Sequence, residues 1–68
     1  MISVELSPAL RDLFLPPPLL SRLESAGAVV WGRQDAEVLV TGWGAARLTA
    51  AELDGLPSLR LVAHTGAA

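Results

Sequence analysis

No cysteine occurs in the 68 residues, which excludes a disulfide framework and any thiolate metal site. The single histidine, His64, excludes a paired-histidine metal site within one copy of the chain. Lysine is absent, and the five cations are scattered arginines. With a formal net charge of −2 there is no basic stripe to follow a phosphate backbone, so no nucleic-acid partner is expected. No apolar run approaches the roughly 18 residues that cross a bilayer. The N-terminus has no basic region, and Glu5 and Arg11 interrupt it early, which argues against a signal peptide. The expectation is a soluble cytoplasmic chain with no membrane partner.

Charge itself is scarce. Charged residues make up 18% and hydrophobic ones 51%, with a mean hydropathy of +0.46. A domain near this size buries only about 60% of the surface its unfolded chain exposes. So apolar a composition therefore predicts that some apolar surface faces a further layer, a partner or a second copy.

What is present divides into short elements. Ser7-Pro8 is a helix start, with Ser7 as N-cap and Leu10, Leu13 and Phe14 on one face. Pro16-Pro17-Pro18 stops that helix and stiffens a bend. A proline-rich ligand for an aromatic groove is the alternative, but the flanking Phe14, Leu15, Leu19 and Leu20 read as core. A second helix is predicted from about Pro18 to Ala26, striped by Leu19, Leu20 and Leu23, with Gly27 as its C′ residue. Ala28–Trp31 reads as a strand and Gly32–Asp35 as a turn. Glu37–Thr41 is the clearest strand; its aliphatic run suggests burial on both faces, as in a parallel sheet. Gly42-Trp43-Gly44 ends it, and two glycines there imply a positive φ or a close backbone approach. Thr49-Ala50-Ala51-Glu52 is a capping box, flanked by Leu48 and Leu53 as a staple. Leu59–Ala63 is the last strand. Val38 to Ala63 thus has the order of one βαβ unit with parallel strands. Ile2–Leu6 reads only as a poor remnant of a first strand.

Few residues suggest chemistry. His64 ends a strand, where α/β proteins place ligand-contacting groups, but a hydrogen-bonded or solvated strand-end histidine is the simpler reading. The acidic residues show no paired arrangement: Glu52 is assigned to capping and Asp35 to its turn. Gly42-Trp43-Gly44 is not a phosphate loop, because Arg47 stands where the third glycine would be needed. Trp43 is either a packing anchor or a wall of a ligand cleft. The small residues Thr65-Gly66-Ala67 would let backbone N–H groups approach an anion.

Three stretches together resemble a known family. They are Val38-Leu39-Val40-Thr41-Gly42-Trp43-Gly44, then Pro57-Ser58-Leu59-Arg60-Leu61-Val62-Ala63-His64, and the segment from Ser7-Pro8 through the prolines to Leu23. The chain resembles the N-terminal portion of the substrate domain of D-isomer-specific 2-hydroxyacid dehydrogenases, notably the actinobacterial type. The resemblance spans nearly all 68 residues. It implies a partial flavodoxin-like α/β domain, here with about three mostly parallel strands and three short helices. It also implies that backbone groups of His64, Thr65, Gly66 and Ala67 face the substrate carboxylate, with Trp43 beside the same cleft. The family's NAD- or NADP-binding domain and its catalytic Arg, Glu and His match nothing in this sequence, so neither catalytic residues nor a bound cofactor are expected here. The chain reads as truncated at its end and abridged between Trp31 and Val38, inactive as a dehydrogenase by itself. The alternative is a small module that self-associates or binds a partner without catalysis.

Overall fold

The computed structural model describes residues 1–45 and 47–65. Four strands and three helices follow in the order β1 (Ile2–Glu5), α1 (Pro8–Phe14), α2 (Pro17–Ala26), β2 (Val29–Trp31), β3 (Val38–Thr41), α3 (Ala50–Asp54) and β4 (Leu61–His64). The strands form one sheet in the order β2-β1-β3-β4, and every pairing is parallel. The fold is therefore α/β, with four strands where three were expected.

The extra strand is β1, and it lies between β2 and β3 at the centre of the sheet. The segment reads as only a poor remnant of a strand in the sequence, yet its Ser3 is fully buried. Its hydroxyl donates to the Gly32 carbonyl and accepts from the Gln34 N–H at 3.0 Å. A buried hydroxyl satisfied on both sides costs little, and this one fastens the β2–β3 turn to the middle of the sheet.

Side chains alternate along a strand. On one face Ile2 and Val4 of β1 join Val40 of β3 and Leu6 in the core, and Leu10, Leu15, Leu23, Val29 and Val38 pack against them. Leu39, fully buried, points to the other face, where Thr41 is also buried. Leu13 departs from expectation: it was placed on the apolar face of α1 but is 69% exposed. Leu10 alone of that helix's leucines reaches the core.

The helix ends follow local chemistry with two exceptions. Ser7 caps α1 by accepting from the Leu10 N–H, and Thr49 caps α3 by accepting from the Glu52 N–H. Pro16 precedes α2, so the helix starts at Pro17 and proline occupies its first positions, where the missing N–H is not needed. Gly27 does not adopt the left-handed turn expected of a C′ glycine; its φ of 173° is extended backbone. The capping box is also altered, because the Glu52 carboxylate lies 3.5 Å from Arg33.

Distant links close the chain. Asp35, assigned from sequence to its own turn, instead accepts from both the N–H (2.8 Å) and the hydroxyl (3.0 Å) of Ser58, tying the β2–β3 loop to the approach of β4. Glu37 accepts from the N-terminal ammonium at 2.6 Å, and that hydrogen bond is the main reason its carboxyl titrates below the ordinary range.

Candidate functional site at the carboxyl ends of the strands

In an open parallel sheet, strands that run in one direction bring all their C-terminal ends to one edge. Where neighbouring strands connect in opposite directions, the loops diverge and leave a crevice. Here the chain leaves β1 toward β2 on one side, and β3 lies on the other. That divergence sits between β1 and β3.

A cleft of about 330 Å³ opens at this point. Glu5, Leu6 and Ser7 from the end of β1 and its exit line it, with Arg11 of α1, Gly32 after β2, and Trp43, Gly44 and Ala45 after β3. Gly44 lines it, and Gly42 lies beside it against Leu6. Gly44 has φ +83°, a left-handed conformation that glycine adopts without strain. Gly42 is a close approach: a Cβ there would lie 2.7 Å from Leu6 Cδ2, 3.0 Å from Thr65 Oγ1 and 3.1 Å from Leu10 Cδ1. Both reasons anticipated for the Gly-Trp-Gly turn thus operate, one at each glycine. Trp43 lines the cleft and is 66% exposed, so it is a wall of the cleft rather than a buried anchor.

The cleft's charges are already arranged. Arg33 Nη2 lies 2.7 Å from Glu5 Oε1, and Arg33 Nε donates to the same oxygen at 2.8 Å. Arg33 also donates to the Arg47 carbonyl at 3.3 Å. Glu5 is thereby neutralised by an arginine held on several sides. Arg11 is placed differently: its Nε donates to the Leu6 carbonyl at 3.2 Å, and its guanidinium lies 4.5 Å from the centroid of the Trp31 ring.

The loop after β4 reaches the same edge of the sheet. Thr41 and His64 are register partners, and Thr41 Oγ1 lies 3.0 Å from His64 Nδ1. Thr65 sends both its N–H (2.8 Å) and its hydroxyl (3.0 Å) to the Thr41 carbonyl. His64 therefore has a strand neighbour that sequence reading did not supply. Gly66 and Ala67, expected to face a carboxylate, lie outside the described residues. His64 and Thr65 do not line the cleft beside Trp43; the two places meet at Gly42, which abuts Thr65 on one side and Leu6 on the other.

Sequence reading missed Ser3, Arg11 and the Glu5–Arg33 pair, and named Ser7 only as a helix cap. No local motif marks Ser3 or the Glu5–Arg33 pair, because their partners lie 28 to 31 residues away. Among the described residues no group of three His, Cys, Asp or Glu could hold a metal, and no helix is long and apolar enough to cross a membrane. The turn after β3 has Arg47 in place of a third glycine, so it does not fit a dinucleotide pyrophosphate. Compared with protein-family models, curated proteins and solved structures, the chain matches none.

Proposed function

We propose that this chain is a ligand-holding α/β unit of the kind that opens the substrate domain of D-isomer-specific 2-hydroxyacid dehydrogenases, flavodoxin-like in plan, which binds a small 2-oxo or 2-hydroxy acid without turning it over. The observation that carries the reading is the cleft at the carboxyl ends of β1 and β3 in a wholly parallel β2-β1-β3-β4 sheet. That strand order is how a flavodoxin-like sheet begins, and ligands of such sheets bind at this divergence. The quoted resemblance supplies the substrate class. In this reading Trp43 is a wall of the cleft; the resemblance assigns the carboxylate to the backbone of His64, Thr65, Gly66 and Ala67, a loop whose described residues meet the cleft only at Gly42 and whose Thr65 N–H is already given to the Thr41 carbonyl. Among the described residues no side chain in the cleft has the arrangement of a nucleophile with its base, and the sequence holds no dinucleotide loop, so this reading leaves hydride transfer to groups outside this chain. The test is absorbance at the reduced nicotinamide band with NADH or NADPH and a series of 2-oxo acids. The expected result is no turnover by the pure chain; sustained cofactor oxidation would overturn the reading.

A second reading has its own observation. Every residue of β4 is exposed, with Leu61 at 56% and Val62 at 40%. Leu61 and Ala63 point to one face of the sheet, and Val62 and His64 to the other, so β4 is bare on both. Parallel strands are ordinarily covered on both faces. This favours an interaction module that buries β4 against another copy or a partner, and the oligomeric state decides it.

A further inference from the structure

We infer that the cleft between β1 and β3 holds a site for a small oxyanion, a carboxylate or an inorganic phosphate, with Arg11 as the residue that takes it. The inference goes beyond the dehydrogenase-like reading, which places a carboxylate on the loop after β4, and it rests on the cleft's own geometry.

Arg11 is half-buried and already oriented. The Leu6 carbonyl fixes its Nε at 3.2 Å, and the Trp31 ring supports its guanidinium plane at 4.5 Å. Much of the rotamer entropy that a flexible arginine loses on binding is therefore lost on folding. Its Nη groups, by contrast, make no ion pair among the described residues. A guanidinium presents paired N–H donors whose spacing matches two oxygens of a carboxylate or phosphate. Glu5, the one carboxylate lining the cleft among the described residues, does not compete for Arg11, because Arg33 holds it at 2.7 Å. Ser7 adds a second polar group: its oxygen accepts from the Leu10 N–H at 3.4 Å, leaving its hydroxyl proton to donate toward a ligand. The volume, about 330 Å³, leaves ample room for a small acid beside Arg11.

The test uses the full 68-residue chain. Oxalate and, separately, inorganic phosphate are titrated while the Arg11 Nε–Hε resonance and tryptophan fluorescence are followed. Saturable binding near about 1 mM that shifts the Arg11 resonance is expected. Arg11→Met should weaken it at least about tenfold and Arg11→Lys by less, since lysine keeps the charge and loses the fork. Arg22→Met on α2 should leave it unchanged. The wild-type Arg11 resonance keeps the test decisive if a variant fails to fold. No saturable binding of either anion, an unmoved Arg11 resonance, or equal weakening by Arg22→Met would each overturn the inference. If oxalate or phosphate binds through Arg11 while 2-oxo acids leave the loop after β4 untouched, the Arg11 site stands and the dehydrogenase-like reading falls. The reverse pattern sinks only the Arg11 site.

Discussion

Ser3 shows how much a single residue decides in a domain this small. Its hydroxyl joins the Gly32 carbonyl and the Gln34 N–H from inside the central strand. Ser3→Ala would leave those groups without their buried partner. Losing this hydroxyl costs about 1–3 kcal/mol, a large share of the total stability of such a domain. Urea unfolding of Ser3→Ala should show a lowered midpoint with an unchanged slope, at a cost of about 1–3 kcal/mol; an unchanged midpoint would mean that water replaces the hydroxyl. None of this was legible from sequence. Ser3 alternates with Ile2 and Val4 as a solvent-facing strand residue would, and only the β2–β3 turn, 29 residues away, explains why it is buried.

At the scale of elements, the regular signals were readable and the long-range ones were not. Ser7, Thr49 and the prolines place helix starts because a cap is local chemistry. The aliphatic run of β3 announced a parallel strand for the same reason. The Asp35–Ser58 clamp and the Thr41–His64 contact depend on which strands become neighbours, and no spacing rule encodes that. The Gly-Trp-Gly turn lies between these cases: its glycines signalled a constraint without naming the partner. That constraint can be measured at the end of β3. Gly42→Ala places a methyl group against Leu6, Leu10 and Thr65. Overpacking of this kind costs about 1–3 kcal/mol. Thermal unfolding should show the loss, and the amide signal of Thr65 should move with it. A variant as stable as the parent would mean that Leu6 swings away freely.

For the whole molecule, the composition and the surface agree. So apolar a chain predicted uncovered apolar area, and Leu13, Leu53, Leu61, Val62 and Trp43 are exposed. Its Cα radius of gyration, 11.6 Å, compares with about 11 Å for a compact domain of this length. Leu61 and Val62 leave β4 bare at one edge of the sheet, whereas Trp43 lines the β1–β3 cleft. Light scattering coupled to size exclusion should therefore separate two outcomes. A discrete dimer that Leu61→Glu returns to monomer favours an interaction module; a monomer at all concentrations favours a ligand-holding unit with an open edge.

The central claim is that the carboxyl edge of the sheet holds a small 2-oxo acid. It is tested most directly by backbone amide NMR of the full chain titrated with pyruvate. The account predicts saturable shifts confined to the residues around Leu6, Ser7, Gly32, Trp43, Gly44, His64 and Thr65, with the amides of α2 and of the Asp35–Ser58 clamp unmoved. Shifts that fail to saturate, or that scatter over the sheet and helices, would contradict it.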